Sequence, residues 1–178
     1  MDDAATDTAQ IIRAAQRGSA WARDRLLRDL QDVWYRFLLS QLGNAEAARE
    51  GAQETALRFL RQLPQFRGES RLQTWSIGIA LNVAREMRRV ARPVIAELLP
   101  GNQREAVGPH EVAQAAEARA ALHAVLDELP ERQREAVVLR FFEEMSVEQT
   151  ARIMNCAAGT VKATVHQALR ALRKKLSQ

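Results

Sequence analysis

Ser146-Val147-Glu148-Gln149-Thr150-Ala151-Arg152-Ile153-Met154, then Asn155-Cys156-Ala157-Ala158, then Gly159-Thr160-Val161-Lys162-Ala163-Thr164-Val165-His166: this stretch decides the fold. It opens on a serine suited to cap a helix, with Glu148 and Gln149 in the first turn, where an acid and an amide complement exposed backbone amides. Asn155 to Ala158 make a very short turn. Val161, Val165, Leu169 and Leu172 then form the inward stripe of a second helix, at helical spacing. Thr160, Lys162, Ala163, Thr164 and His166 are left facing outward, and they are mostly small or hydrogen-bonding. A recognition helix needs that composition, because its first turns must come close to base edges and phosphates. A helical hairpin without a DNA role could also present a polar outer face.

Charge is distributed to match. From Gln149 to Gln178 there are six basic residues (Arg152, Lys162, Arg170, Arg173, Lys174, Lys175) and no acid. From Val94 to Asp127 there are two arginines against five acids. A basic end behind an acidic connector suits a polyanion, although a solvated helix end with cations at its C-terminus reads the same way.

Upstream, the pattern stays helical. The acidic segment Met1 to Gln10 is expected to fray. Leu26, Leu27, Leu30, Val33, Trp34, Phe37 and Leu38 mark a helix ending near Gly43, and Asn44 can cap the next. That helix carries Ala48, Ala52, Thr55, Ala56, Phe59, Leu60 and Leu63 and stops at Pro64. After the polar loop Gln65 to Ser70, the period resumes at Leu72, Trp75, Ile79, Val83, Met87 and Val90, and runs to Pro93. Pro93, Pro100, Gly101, Gly108 and Pro109 mark a linker. Helices are expected again at about 112–129, 131–142, 146–155 and 159–176. The chain is therefore all-α: a helical domain at 8–93, a flexible linker at 94–111, and a helix-turn-helix domain at 112–178.

Several classes are excluded. No glycine-rich phosphate loop, nucleophile–base arrangement or metal-ligand spacing occurs, so no catalytic residue, metal or cofactor is expected. Glu143-Glu144 reads as a solvated corner. Cys156 is the single cysteine of the 178 residues, which suits a reducing compartment. No run approaches the ~20 apolar residues of a bilayer span, and the N-terminus lacks a signal-peptide layout. A cytoplasmic protein without membrane insertion is expected.

Leu129-Pro130-Glu131-Arg132-Gln133-Arg134-Glu135-Ala136-Val137-Val138-Leu139-Arg140, Met145 to Ala151 and Gly159 to Lys162 resemble the C-terminal domain of extracytoplasmic-function (ECF) RNA polymerase sigma factors. The resemblance implies −35 promoter recognition by Thr160, Lys162, Ala163, Thr164, His166 and Gln167, with Arg170, Arg173 and Lys174 near the DNA backbone. Members often carry arginine where this chain has Thr164 and Gln167. Neither side chain can replace a forked cation on guanine or phosphate, which implies a different preferred sequence or weaker binding.

Phe66-Arg67-Gly68-Glu69-Ser70-Arg71-Leu72-Gln73-Thr74-Trp75, continuing to Arg88-Arg89, resembles the segment of that family that melts the promoter and recognises its −10 element. Arg67 to Arg71 would form a pocket for an extruded base, with Asn82, Arg85, Arg88 and Arg89 along the strand path. Trp75 lies on the inward stripe and Phe66 could close the bundle, so both are also open to a core role. Glu46 to Thr55 resembles the polymerase-docking segment, with Glu46, Glu50, Gln53 and Glu54 as the contacts. Gly51 and Ala52 stand beside Glu50, where members are more acidic, so docking should be weaker unless charge is restored, for example by phosphate on Thr55. The implied partners are bacterial core RNA polymerase, promoter DNA and an inhibitory anti-sigma factor. The rival reading is a stand-alone helix-turn-helix regulator with an N-terminal sensing or dimerising domain.

Overall fold

The computed structural model describes the backbone of residues 3–98 and 124–176, and the side chains of 7–90 and 124–174. All regular structure in those residues is helical: α1 (Asp3–Gln16), α2 (Ala20–Leu42), α3 (Ala45–Gln62), α4 (Leu72–Leu98), α5 (Glu131–Val137), α6 (Val147–Met154) and α7 (Ala158–Leu176). The expected linker and the first part of the expected helix at 112–129 lie mostly outside the described residues.

Local chemistry sets the boundaries. Gly18 takes φ 96°, and the Ser19 hydroxyl then caps α2 by accepting from the Ala22 amide. Gly43 closes α2 in the left-handed region at φ 69°, donating to the Leu39 carbonyl. Asn44 Oδ1 accepts from the Ala47 amide at 2.9 Å and starts α3. Pro64 ends α3 in a single 3-10 turn, Leu63–Gln65.

The N-terminal helices close around Trp34, Phe37, Leu38, Phe59, Leu63, Ile77 and Leu81, all essentially inaccessible. Trp34 Nε1 donates to Ser76 Oγ at 2.9 Å, so the buried indole leaves no orphan donor. Aromatic rings continue outward from this centre: Trp34–Phe59, Phe59–Trp75 and Phe66–Trp75, at centroid separations of 5.2, 5.7 and 5.0 Å.

The structure departs from the sequence reading in three places. The segment expected to fray forms α1, whose Ala15 packs into the core beside partly buried Ile11 and Ile12. Helix α4 passes through Pro93 to Leu98. A proline removes one intrahelical bond, but the run Val94-Ile95-Ala96-Glu97-Leu98 still favours helix on its far side. The expected helix 131–142 is α only to Val137 and widens into a π turn at Val138–Phe142, where the Glu143 amide donates to the Val138 carbonyl at 3.1 Å. The extra residue keeps Val138 and Leu139 buried while Phe141 and Phe142 face outward.

A helix-turn-helix, an exposed loop and an acidic groove

The C-terminal motif rests on a complete capping box. Ser146 Oγ accepts from the Gln149 amide at 3.1 Å, and Gln149 Oε1 accepts from the Ser146 amide at 2.8 Å. Asn155 ends α6 at φ 50°, a left-handed position asparagine tolerates. Arg132 donates to the Met154 carbonyl at 3.1 Å and braces the turn from α5. Val161 and Ala168 bury the inner face of α7, while Val165 and Leu172 are partly buried against the same core. Thr160, Lys162, Ala163, His166, Gln167, Arg170, Arg173 and Lys174 are exposed along the outer face, and Thr164 is half-buried at its margin. The residues named for −35 contact thus lie along one helix.

In the N-terminal half, Arg67, Gly68, Glu69 and Arg71 are exposed, and Gly68 occupies φ 75°, which suits glycine. The loop's base is tied to α1, because Gln16 Nε2 donates to the Leu63 and Phe66 carbonyls at 3.1 and 2.9 Å. Nothing in the loop's own sequence pointed to Gln16; the signal was the helical period of α1, read as too short. Phe66 and Trp75 are partly buried and stack on each other, so the pair both closes the bundle and floors the loop. Ser70 is half-buried.

On α4, Asn82 and Arg89 are exposed. Arg85 and Arg88 instead reach the C-terminal half. Arg85 forms a two-point ion pair with Glu135, at 2.7 and 2.8 Å, and Arg88 bonds Asp127 at 2.9 Å and the Gln41 carbonyl at 2.8 Å. The Glu135 pair raises the Arg85 pKa, against the opposing effect of burial.

Helices α3 and α4 form a groove lined by Glu50, Gln53, Glu54, Leu57, Arg58, Val83, Glu86 and Met87. Arg58 donates to Glu54 at 2.6 Å and grips both Glu86 oxygens at 2.8 and 2.7 Å. Those bonds raise the Arg58 pKa and lower that of Glu86. Leu57 is 51% exposed at the rim. Leu57, Arg58 and Glu86 escaped the sequence reading, which followed the acidic segment only to Thr55. Glu46 and Glu50 are exposed on the same helix.

Two expectations about this face are overturned. Gly51 is buried at the crossing of α3 with α2 and α4, where a Cβ would lie 3.1 Å from Met87 Sδ and 3.2 Å from Leu38 Cδ1. It is a packing glycine, so no acid is missing from the surface there. Thr55 is fully buried and donates its hydroxyl to the Gly51 carbonyl at 2.7 Å, out of reach of a modifying enzyme in the folded chain. Glu143 also differs from the solvated corner expected of it: it is half-buried near Arg36, and burial raises its pKa.

Among the described residues no cluster of histidine, cysteine or acid side chains could hold a metal, and no helix is long and apolar enough to cross a membrane. The family model for sigma-70 region 2 matches residues 24–93, and that for sigma-70 region 4 matches residues 119–172. The RNA polymerase sigma-H factor of Pseudomonas aeruginosa is 32% identical over 178 residues, covering 94% of this chain and 92% of that one. The ECF RNA polymerase sigma factor BldN of Streptomyces coelicolor is 30% identical, covering 94% and 65%. SigW, an ECF RNA polymerase sigma factor of Bacillus subtilis, is 25% identical, covering 93% and 94%. Two solved structures share the fold. CnrH, in complex with the cytosolic domain of CnrY, has a TM-score of 0.72 at 19% identity, over 94% of this chain and 95% of that one. The sigma factor RpoE of Bartonella quintana, in complex with the anti-sigma factor NepR, has a TM-score of 0.66 at 23% identity, over 86% and 96%. With region 2 and region 4 in order and a relative matched along nearly its whole length, this chain belongs to the sigma-70 family of RNA polymerase sigma factors, in its ECF group, and is a transcription initiation factor.

Proposed function

We propose a division of labour among the surfaces described above. The groove between α3 and α4 docks on core RNA polymerase, with Glu46, Glu50, Gln53 and Glu54 supplying negative charge and Leu57 an apolar anchor. The loop Phe66 to Arg71, over Trp75, receives a base extruded from the −10 element, and Asn82, Arg85, Arg88 and Arg89 line the strand path. The outer face of α7 enters the major groove at the −35 element. Lys162 stands near the helix start, where base contacts concentrate. Arg170, Arg173 and Lys174 lie farther along, where phosphates are the fitting partners. The domain at 8–93 thus melts and docks, that at 112–178 reads the upstream element, and 94–111 links them.

The observation that carries this reading is the contrast within α7. Its inner face is buried and its turn is fixed by a capping box, while the residues named for DNA all lie on or beside its outer face. The protein acts in the cytoplasm and catalyses no reaction of its own. An anti-sigma factor covering the polymerase-docking surfaces is the regulator the family implies. A stand-alone regulator would have no use for an exposed acidic groove beside a braced polar loop.

Co-elution with core polymerase followed by promoter-dependent transcription tests the assignment. A stable complex that initiates from a duplex promoter is expected. Tight promoter binding by the free chain, with no polymerase complex, would sink it.

A further inference from the structure

Helix α4 serves two surfaces through neighbouring residues. Glu86 faces the docking groove and is held by Arg58, while Arg85 faces the C-terminal half and is held by Glu135. The latter contact is unusual in its burial: the Glu135 side chain is 1% exposed and Arg85 grips both its oxygens. A carboxylate that deep stays ionised only with a charge-assisted partner, and here the partner comes from the other half of the chain. One turn farther along α4, Arg88 is held by Asp127, again from the C-terminal half. A third contact crosses the same boundary, where Arg152 of α6 donates to the Glu69 carbonyl in the exposed loop at 3.4 Å.

We propose that these contacts form a self-masking latch, in which Glu135 and Asp127 occupy Arg85 and Arg88 so that the free chain cannot offer them to single-stranded DNA. The proposal rests on the assignment of α4 to the −10 strand path. A phosphate and a carboxylate compete for the same guanidinium face, so binding DNA and closing the halves exclude each other at these residues.

The seam is built to release. Arg134, 3% exposed, joins Arg85 and Arg88 there, so three guanidiniums share Asp127 and Glu135. Its bond to Asp127 is long, at 3.6 Å, and burial pulls its pKa down to about 10. Arg134 Nε and Gln41 Nε2 are buried and find no hydrogen-bond partner. Buried donors left unmade, and like charges held together, both count against the closed arrangement and are relieved when water enters. Good pairs at Glu135 and Asp127 set against orphaned donors nearby make a closed state that a docking partner can overcome. Polymerase engaging the groove would act on the same helix.

The test uses the full chain with Cys156→Ser and fluorophores on cysteines placed at the exposed positions Arg61 and Ala157. Energy transfer reports the separation of the halves without polymerase or promoter. A fluorescein-labelled single-stranded DNA of random sequence reports masking. The unsubstituted latch should give high transfer and weak DNA binding. Glu135→Gln and Asp127→Asn should lower transfer; where the closed form dominates about ten to one, apparent DNA affinity should rise about tenfold. The exchanged pair Arg85→Glu with Glu135→Arg should restore high transfer. Low transfer in the parent chain, or transfer unchanged by both single variants, overturns the latch. Lower transfer with unchanged DNA affinity overturns the masking. Should Glu135→Gln fail to fold, Asp127→Asn, on a partly exposed side chain, carries the test alone. Because the transfer measurement needs neither polymerase nor promoter, failure of the latch and failure of the docking assignment are distinguishable: the second would appear only as loss of co-elution.

Discussion

Single residues separate surface chemistry from packing, and α3 shows how easily a sequence confuses them. Gly51, Ala52 and Thr55 lie in an acidic segment and invite a reading in terms of charge. One face of the helix is nonetheless buried, and Gly51 and Thr55 lie on it. Periodicity already placed Thr55 on that stripe, but the distance from Gly51 to Leu38 depends on how two helices cross, which no local pattern encodes. Gly51→Asp should therefore destabilise the fold by about 2 kcal/mol or more, since it buries an unpaired charge at a tight crossing. Urea unfolding measures this. Leu57→Asp, at the exposed rim, should leave unfolding nearly unchanged and reduce co-elution with core polymerase. Equal stability of the two variants would return Gly51 to the surface. On α7, Lys162→Ala should weaken holoenzyme binding to a −35 duplex by about 1–3 kcal/mol if the ammonium reads a base.

Elements were the most legible scale. Ser146, Asn44 and Gly43 are local signals with local mechanisms, and each sits at the helix end its chemistry predicts. The failures have equally definite causes. Helix α1 has few large apolar residues and owes its place to packing on α2 and to the Gln16 tether. The π turn after α5 needs a backbone register that side-chain periodicity cannot announce. Ser146→Ala should cost about 1 kcal/mol by removing one side of the capping box. Phe59→Ala, at the centre of the aromatic chain, should cost about 3–5 kcal/mol. Differential scanning calorimetry of the full chain should show the first loss mainly in the C-terminal half's melting and the second in the N-terminal half's.

Across the whole molecule, two domains in the right order were readable from sequence, but the contacts between them were not. Arg85 and Glu135 are 50 residues apart, and each reads as an ordinary surface charge. Acid sensitivity should follow the longest-range pairs. Arg58 lowers the Glu86 pKa in the folded chain, so that pair stabilises the fold above the carboxylate range and the contribution is lost as pH falls through it. The melting temperature of Glu86→Gln should therefore lie furthest below that of the parent near neutral pH, and the two should converge in acid. The three tryptophans add a final consequence. Trp34 is sealed in the core, Trp21 is 66% exposed on α2, and Trp75 stands under the loop against Phe66. Their emission should be graded from blue to red by solvent contact, giving the chain a built-in optical gauge. Quenching of the intermediate component on adding a single-stranded oligonucleotide would time the arrival of a base above Trp75, with no dye attached.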